Sequence, residues 1–532
     1  MLSLFLASSL IVARPNVVVI LSIDQFRPDF LYRFERHYLP ATSKDGVGGF
    51  RYLLKNGANF VNARYQHLPT STGPGHAIIG SGSTPGINGI VANEWYDRTQ
   101  KKSVYCVEDP NTKDVLTGKS SMSASNLTVS TISDELEMAT NGKSITISLA
   151  IKDRASILMA GHAADDVVWF DKTLGTWTTS DYYEKSNKLP TWVSEINGMK
   201  IPDRMRGKNW TKTLPESEYE TSFPTIAPSP PDGFGDSFPH TLPYDSTFYD
   251  LWTFTPYGND FVVESTEHAF KKLGIGKDDF PDVITLNFSS NDYLGHRFGP
   301  YSPEVMEMSI ATDRSISRLL NYLDKNVVGG LDRVLFVLTS DHGVLPVPED
   351  MSSRKIPASR TGADFVPNLK QKTIEAIGVD CIAMVDDGLV WFDRSKLVEK
   401  RITTESAQNA VAKILSESPL IFRAYPAHLL DTLPISDWYD VAVKRSFHPD
   451  RGGDVVMILK PGVYESSRTG GTGHGSVWTY DQAVPLIFYG QGVDKGRHTE
   501  NAGPEDIAAT VCMHLGITAP NGSVGRAIGL TK

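Results

Sequence analysis

The sequence predicts an α/β protein built on a doubly wound, mostly parallel sheet with inserted lobes. Three observations point there: aliphatic runs that end at an acid, helical repeats between them, and two long stretches that fit neither pattern. The first run, Asn16-Val-Val-Val-Ile-Leu-Ser-Ile-Asp24, is continuous rather than alternating, as in a strand buried on both faces. Asp282-Val-Ile-Thr-Leu-Asn-Phe-Ser-Ser-Asn-Asp292 and Asp332-Arg-Val-Leu-Phe-Val-Leu-Thr-Ser-Asp341-His342 repeat its grammar, with one or two small polar residues before the acid. A fourth run, Ala483 to Tyr489, closes on Gly490 without one, and Ile145 to Ile151 runs into Lys152-Asp-Arg154. Between the runs lie stretches such as Pro303 to Asp324, whose apolar residues recur near helical spacing. In such sheets ligands sit outside the carboxyl ends of the strands, where these acids fall.

The 532 residues exceed one ordinary core, so insertions are expected. The predicted order is a partial signal peptide at 1–14, core at 15–155, an irregular lobe at 156–275, core at 276–345, a second lobe at 346–470, and core at 471–532. The first lobe is rich in Pro, Trp, Tyr and Asp; the second mixes a helix near Thr404–Glu417 with short strands such as Gly388–Phe392. Leu2 to Ala13 is an apolar run too short for a membrane span and suits the core of a signal peptide, though it lacks a basic start. Export to a bacterial periplasm or medium is therefore expected, with no stable membrane anchor and a monomeric chain.

Hydrophobic content of 40% and charged content of 21% are globular values, and the formal charge of -10 disfavours nucleic acid as a partner. An anionic substrate must then meet a local positive site. Three scattered cysteines, Cys106, Cys381 and Cys512, exclude a thiolate metal cluster and allow at most one disulfide.

The stretch His67-Leu-Pro-Thr-Ser-Thr-Gly-Pro-Gly-His76 puts three hydroxyls between two prolines and reads first as a helix N-cap. Other residues give it a second meaning. Asp292 and His296 are four apart, so both can lie on one face of a helical turn. Asp341-His342 offers adjacent ligands at a strand end, and His474 sits in Gly470-Gly-Thr-Gly-His-Gly475, where glycines leave the imidazole little packing. With Asp24 this makes three carboxylates and three imidazoles, a donor set that suits Zn²⁺ better than Ca²⁺ or Mg²⁺.

The ordered segments Ser22-Ile-Asp24, Pro69-Thr-Ser-Thr-Gly-Pro-Gly-His76, Ala92-Asn-Glu-Trp-Tyr-Asp97, Lys152-Asp-Arg154, Asn291-Asp-Tyr-Leu-Gly-His296, Ser340-Asp-His-Gly343 and Gly471-Thr-Gly-His-Gly475 resemble the alkaline phosphatase superfamily. Within it they resemble the phosphate-irrepressible bacterial monoesterase branch (PafA-type), which has a Thr nucleophile. The resemblance runs from Asn16 onward and implies an alkaline-phosphatase-like core with cap lobes and two Zn²⁺ ions. It implies that Asp24, Asp341 and His342 hold one zinc, which also takes the oxygen of Thr72, and that Asp292, His296 and His474 hold the other. Thr72, rather than Thr70 or Ser71, stands immediately before the x-Pro-Gly-His unit and would be the nucleophile, passing through a phosphothreonine. Asn93 would contact a phosphoryl oxygen, and Lys152 and Arg154 match the basic pair that marks monoesterases.

Charge supports the monoester independently. Three aspartates and an ionised Thr72 offset most of the charge of two Zn²⁺, Lys152 and Arg154, leaving about +2, which matches a phosphomonoester dianion. Small phosphomonoesters are thus the expected substrates. The rival readings are a phosphodiesterase or nucleotide pyrophosphatase of the same superfamily, with Lys152 and Arg154 an idle surface pair, and a non-catalytic surface protein stabilised by zinc. Two sites of three ligands each leave open positions, unlike closed structural zinc.

Overall fold

The computed structural model describes residues 14–219 and 225–530; the apolar run at 2–13 lies outside the described residues. Nine strands form the main sheet: β1 (Val17–Ile23), β2 (Ala58–Phe60), β3 (Thr146–Ala150), β4 (Asp166–Asp171), β5 (Thr176–Thr178), β6 (Asp282–Phe288), β7 (Val334–Thr339), β8 (Ile487–Gly490) and β9 (Gly496–His498). Their order across the sheet is β5-β4-β3-β6-β1-β7-β8-β2-β9. The block from β4 to β7 is parallel, whereas β5 and β8 run antiparallel to their neighbours in that block. This is the predicted doubly wound, mostly parallel α/β core.

The unbroken aliphatic pattern of β1 has a direct cause. Val17, Val19, Leu21 and Ile23 pack into the core on one face, Val18 and Ile20 into the core on the other, all fully buried. The helix Pro303–Asn326, capped by the Ser302 side chain on the Val305 N–H, covers the first face with Val305, Ile316 and Leu320. The helix Glu505–Leu515 covers the second with Ile507, Val511 and Leu515.

One predicted edge moves. The sequence closes the first core part at 155, yet β4 and β5, at 166–178, extend the sheet, and the helix Tyr257–Leu273 packs Phe261 and Val262 into the same core. Their Trp and Tyr content hides them in sequence, because the aromatic residues that mark an irregular lobe here fill the sheet's flank. Further on, a separate four-stranded antiparallel sheet is built from Ile382–Asp386, Leu389–Phe392, Ile421–Pro426 and Val455–Leu459. The helix Thr404–Ser416 packs on it through Ala407, Val411 and Leu415. All three cysteines are buried and free. Among the described residues no helix is long and apolar enough to cross a membrane.

Candidate active site

Four adjacent parallel strands, β3, β6, β1 and β7, deliver the polar cluster at their carboxyl ends. Lys152 follows β3, Asp24 follows β1, Asp341 and His342 follow β7, and Asp292 opens the helix Ser290–Phe298 that follows β6. His296, one turn further along that helix, sets its Nε2 3.1 Å from Asp292 Oδ1, as the spacing predicts. His474 arrives from the glycine loop, its Nε2 3.7 Å from the same oxygen and its ring stacked on His342 with centroids 3.5 Å apart. The structure therefore brings together all six predicted ligands.

Thr72 is the first residue of the helix Thr72–Ser81, which every residue buries. Ser71 has the extended backbone of an N-cap, but no side-chain hydroxyl caps the helix, contrary to the simple N-cap reading of the turn. Asn93, in the bend just before the strand Glu94–Asp97, does so: its Oδ1 accepts from the Gly73 N–H at 2.8 Å. His76 Nδ1 donates to the Thr72 carbonyl at 2.8 Å, and its Nε2 accepts from Asn287 Nδ2 at 2.9 Å. The Thr72 hydroxyl is thus presented from a backbone fixed on both sides. Lys152 Nζ and Arg154 Nη2 each donate to Thr72 Oγ1 at 3.3 Å, which rules out an idle surface pair. Arg154 in turn is held by Tyr105, whose Oη accepts from Nη1 at 3.1 Å and donates to Asp153 at 2.6 Å.

The donor atoms fall into three groups, each within 4.8 Å: Asp292, His296 and His474; Asp24, Asp292 and His342; and Asp24, His76 and Asp341. His76 is a poor ligand, since both its nitrogens are engaged. The remaining imidazoles are prepared for cations. His296, His342 and His474 each place Nδ1 on a backbone carbonyl, of Thr472, Gly343 and Thr70 respectively. A carbonyl only accepts, so Nδ1 carries a proton and Nε2 can turn a lone pair towards the carboxylates. Asp341 is arranged likewise: Oδ1 accepts from the N–H groups of Gln25 and His342, while the buried Oδ2 makes no hydrogen bond of good geometry and lies 3.0 Å from His342 Nε2. An orphaned, buried carboxylate oxygen beside imidazole nitrogens fits a cation.

Electrostatics agree. Burial, reinforced by Asp341, holds the Asp24 carboxyl well above its ordinary range. Burial would do the same to Asp292, but His296 and Lys152 outweigh it and hold that group well below. Burial lowers His342, yet Asp341 reverses this and raises it to about 9, whereas burial and His342 keep His474 well below normal. Such a floor is short of positive charge.

Above it opens a cavity of about 360 Å³ bordered by Thr72, Asn93, Arg154, His296 and His474. The rest of its lining, its wall, carries Glu94, Asp386, Asp387, Glu465 and Asp481, beside Leu68, Met457 and Tyr464. Sequence reasoning missed this wall, together with Gln25, His76, Tyr105 and Asn287. Only the Asp387-Gly388 pair left a trace, as a hairpin signal.

Sheet and site together define an alkaline-phosphatase-like α/β hydrolase. The family described as Type I phosphodiesterase / nucleotide pyrophosphatase matches residues 18–483, and this chain belongs to it, within the alkaline phosphatase superfamily. Among relatives, the alkaline phosphatase PhoV of Synechococcus elongatus is 34% identical over 97% of this chain and 93% of its own length. The alkaline phosphatase PafA of Elizabethkingia meningoseptica is 34% identical over 97% and 94%. The crystal structure of wild-type PafA superposes with a TM-score of 0.89 at 33% identity, covering 97% of this chain and 99% of that one. Murine ectonucleotide pyrophosphatase / phosphodiesterase 5, at 15% identity and a TM-score of 0.52, shares the fold.

Proposed function

We propose that the chain is an alkaline phosphatase that hydrolyses small phosphate monoesters through a phosphothreonine on Thr72, at a floor that holds two Zn²⁺. Asp24, Asp341 and His342 would hold one ion and Asp292, His296 and His474 the other. When bound, the pair supplies the charge that ionises the Thr72 hydroxyl and stabilises the leaving oxygen.

The remaining chemistry belongs to the chain. Thr72 Oγ attacks phosphorus in line, the ester P–O bond breaks, and the alcohol leaves towards the open cavity. Arg154 and Lys152 meet the equatorial phosphoryl oxygens, whose charge grows in the transition state. Asn93 spends its oxygen on Gly73 and keeps its amide N–H groups for a phosphoryl oxygen. The N-terminus of the ten-residue helix starting at Thr72 adds a favourable dipole. Water then cleaves the phosphothreonine and restores the hydroxyl.

The observation that carries this reading is that two cationic side chains converge on one threonine oxygen at 3.3 Å. A diester has one charge fewer and a substituent where the cations reach, so the pair favours a monoester over the phosphodiesterase reading. A structural-zinc protein has no use for a hydroxyl so placed at the base of a cavity. We read the enzyme as a monomer, and the run at 2–13 supports action outside the cytoplasm. The test compares turnover of an aryl phosphate monoester and its methyl-capped diester before and after chelation and zinc add-back. Strong monoester preference, lost on chelation and regained with zinc, is expected; diester preference or indifference to chelation would overturn the reading.

A further inference from the structure

Gln25 follows Asp24 at the end of β1 and is almost wholly buried. Its backbone is left-handed, with φ of 59°, an uncommon conformation for a residue with a side chain. That turn aims both of its N–H donors at the floor. The backbone N–H donates to Asp341 Oδ1 at 3.1 Å, and the side-chain Nε2 donates to Asp292 Oδ1 at 2.6 Å. Asp341 and Asp292 belong to the two different ligand sets and come from strands on opposite sides of β1. Gln25 therefore links the two sets through neutral donors, as Lys152 does with its charge through Asp24 Oδ1 and Asp292 Oδ2.

The helix opposite is shaped for this contact. At Gly295, one residue before His296, a Cβ would lie 2.0 Å from Gln25 Oε1. Glycine is needed there so that the amide can reach Asp292. The chemistry of the amide also matters. It is neutral, so it orients a carboxylate by hydrogen bonding without competing with a bound cation for charge, whereas Glu would repel Asp292 and Lys would stand in for a cation.

We propose that Gln25 is a positioning residue: its side chain fixes the orientation of Asp292, and with it the set formed with His296 and His474, relative to the set anchored by Asp341. The proposal rests on the two-cation reading above. Two substitutions break the contact from opposite sides. Gln25→Met keeps the bulk and removes the donor; Gly295→Ala keeps Gln25 and pushes its flexible amide aside.

The full-length chain, loaded with zinc, is dialysed against graded EDTA, and zinc per chain, kcat and KM for an aryl phosphate are measured. In both variants the first zinc should leave at about tenfold lower EDTA while the second leaves as in wild type. With zinc in excess, kcat should fall about tenfold and KM stay within about twofold, since the group acts on ligand geometry rather than on substrate binding. Should Gly295→Ala fail to fold, Gln25→Met carries the same comparison alone. Wild-type release curves and kcat in Gln25→Met, or a parallel shift of both zincs with a lowered Tm, would overturn the proposal. A wild-type chain that binds no zinc at all would instead overturn the two-cation reading, and this one with it.

Discussion

The floor of the cavity and its wall are both lined by sheltered carboxylates, and most of those on the floor behave in the opposite way to those on the wall. On the floor, the facing groups overcome burial at two of the three aspartates: His296 and Lys152 hold Asp292 down and His342 does the same for Asp341, while Asp24 stays raised. On the wall no facing group does. Burial, with Glu94 beside it, pushes Asp386 up to about 6; burial, with Asp386 beside it, pushes Glu465 up to about 7. Burial, with Asp386 and Glu465 beside it, holds Asp387 well above the carboxylate range. Among the described residues Asp386, Asp387 and Glu465 form no ion pair. Asp292 and Asp341 on the floor are thus kept charged while Asp386, Asp387 and Glu465 on the wall are pushed towards neutrality, according to what faces each. A floor so built suits cations and an anionic phosphoryl group, and a wall near neutrality repels that group less than its composition suggests.

The strongest way to break this contrast is to remove what the floor serves. Thr72→Ala should lower kcat/KM for an aryl monoester by at least ~10³-fold, because among the described residues no other hydroxyl accepts from both Lys152 and Arg154. Wild-type turnover in that variant would remove the nucleophile from the account. Arg154→Ala comes next. Loss of a donor to the developing phosphoryl charge should cost about 10²- to 10³-fold for the monoester and clearly less for the methyl-capped diester. Equal losses on both substrates would mean that Arg154 only supports the fold.

A smaller effect separates the two halves of the floor. The His296 side chain is 32% exposed, whereas those of His342, Asp24 and Asp341 are wholly buried. The set holding His296 should give up its metal first, at about tenfold lower chelator than the buried set. A titration that follows metal content would show two steps, and a single cooperative step would contradict the difference.

The smallest effect lies on the wall. Glu465 has a folded-state pKa of about 7 against an ordinary 4.5, so the folded chain keeps a proton that the unfolded chain loses first. Its contribution to stability is whole below about 4.5 and lost as pH rises through about 7. Glu465→Gln, which retains an acceptor for the Gly388 N–H, should therefore raise Tm relative to wild type by roughly 1–3 °C more at pH 8 than at pH 5. An equal Tm difference at both pH values would show that the wall carboxyl is not held neutral.

The contrast also explains what could be read before any coordinates. Asp24, Asp292 and Asp341 stand where buried strands stop, and a parallel sheet gathers such ends on one edge, so strand pattern alone points to the floor. The i, i+4 spacing of Asp292 and His296 survives folding because a helix enforces it. The wall had no such rule. Asp387-Gly388 forms an ordinary left-handed hairpin turn, with φ of 48° and 78°, and only tertiary packing swings it over the cavity. Gln25, Tyr105 and Asn287 act by a few long-range hydrogen bonds each, which leave no periodic trace. The cap on the Thr72 helix was misplaced for the same reason, since its acceptor is Asn93, twenty residues away in sequence. Strands β4 and β5 were hidden by their aromatic flank.

Anomalous diffraction from crystals of the zinc-loaded chain tests the floor most directly. Two zinc positions are predicted, one touching Asp24, Asp341 and His342 beside the Thr72 hydroxyl, the other touching Asp292, His296 and His474. A single zinc, or zinc bound away from these six side chains, would contradict it.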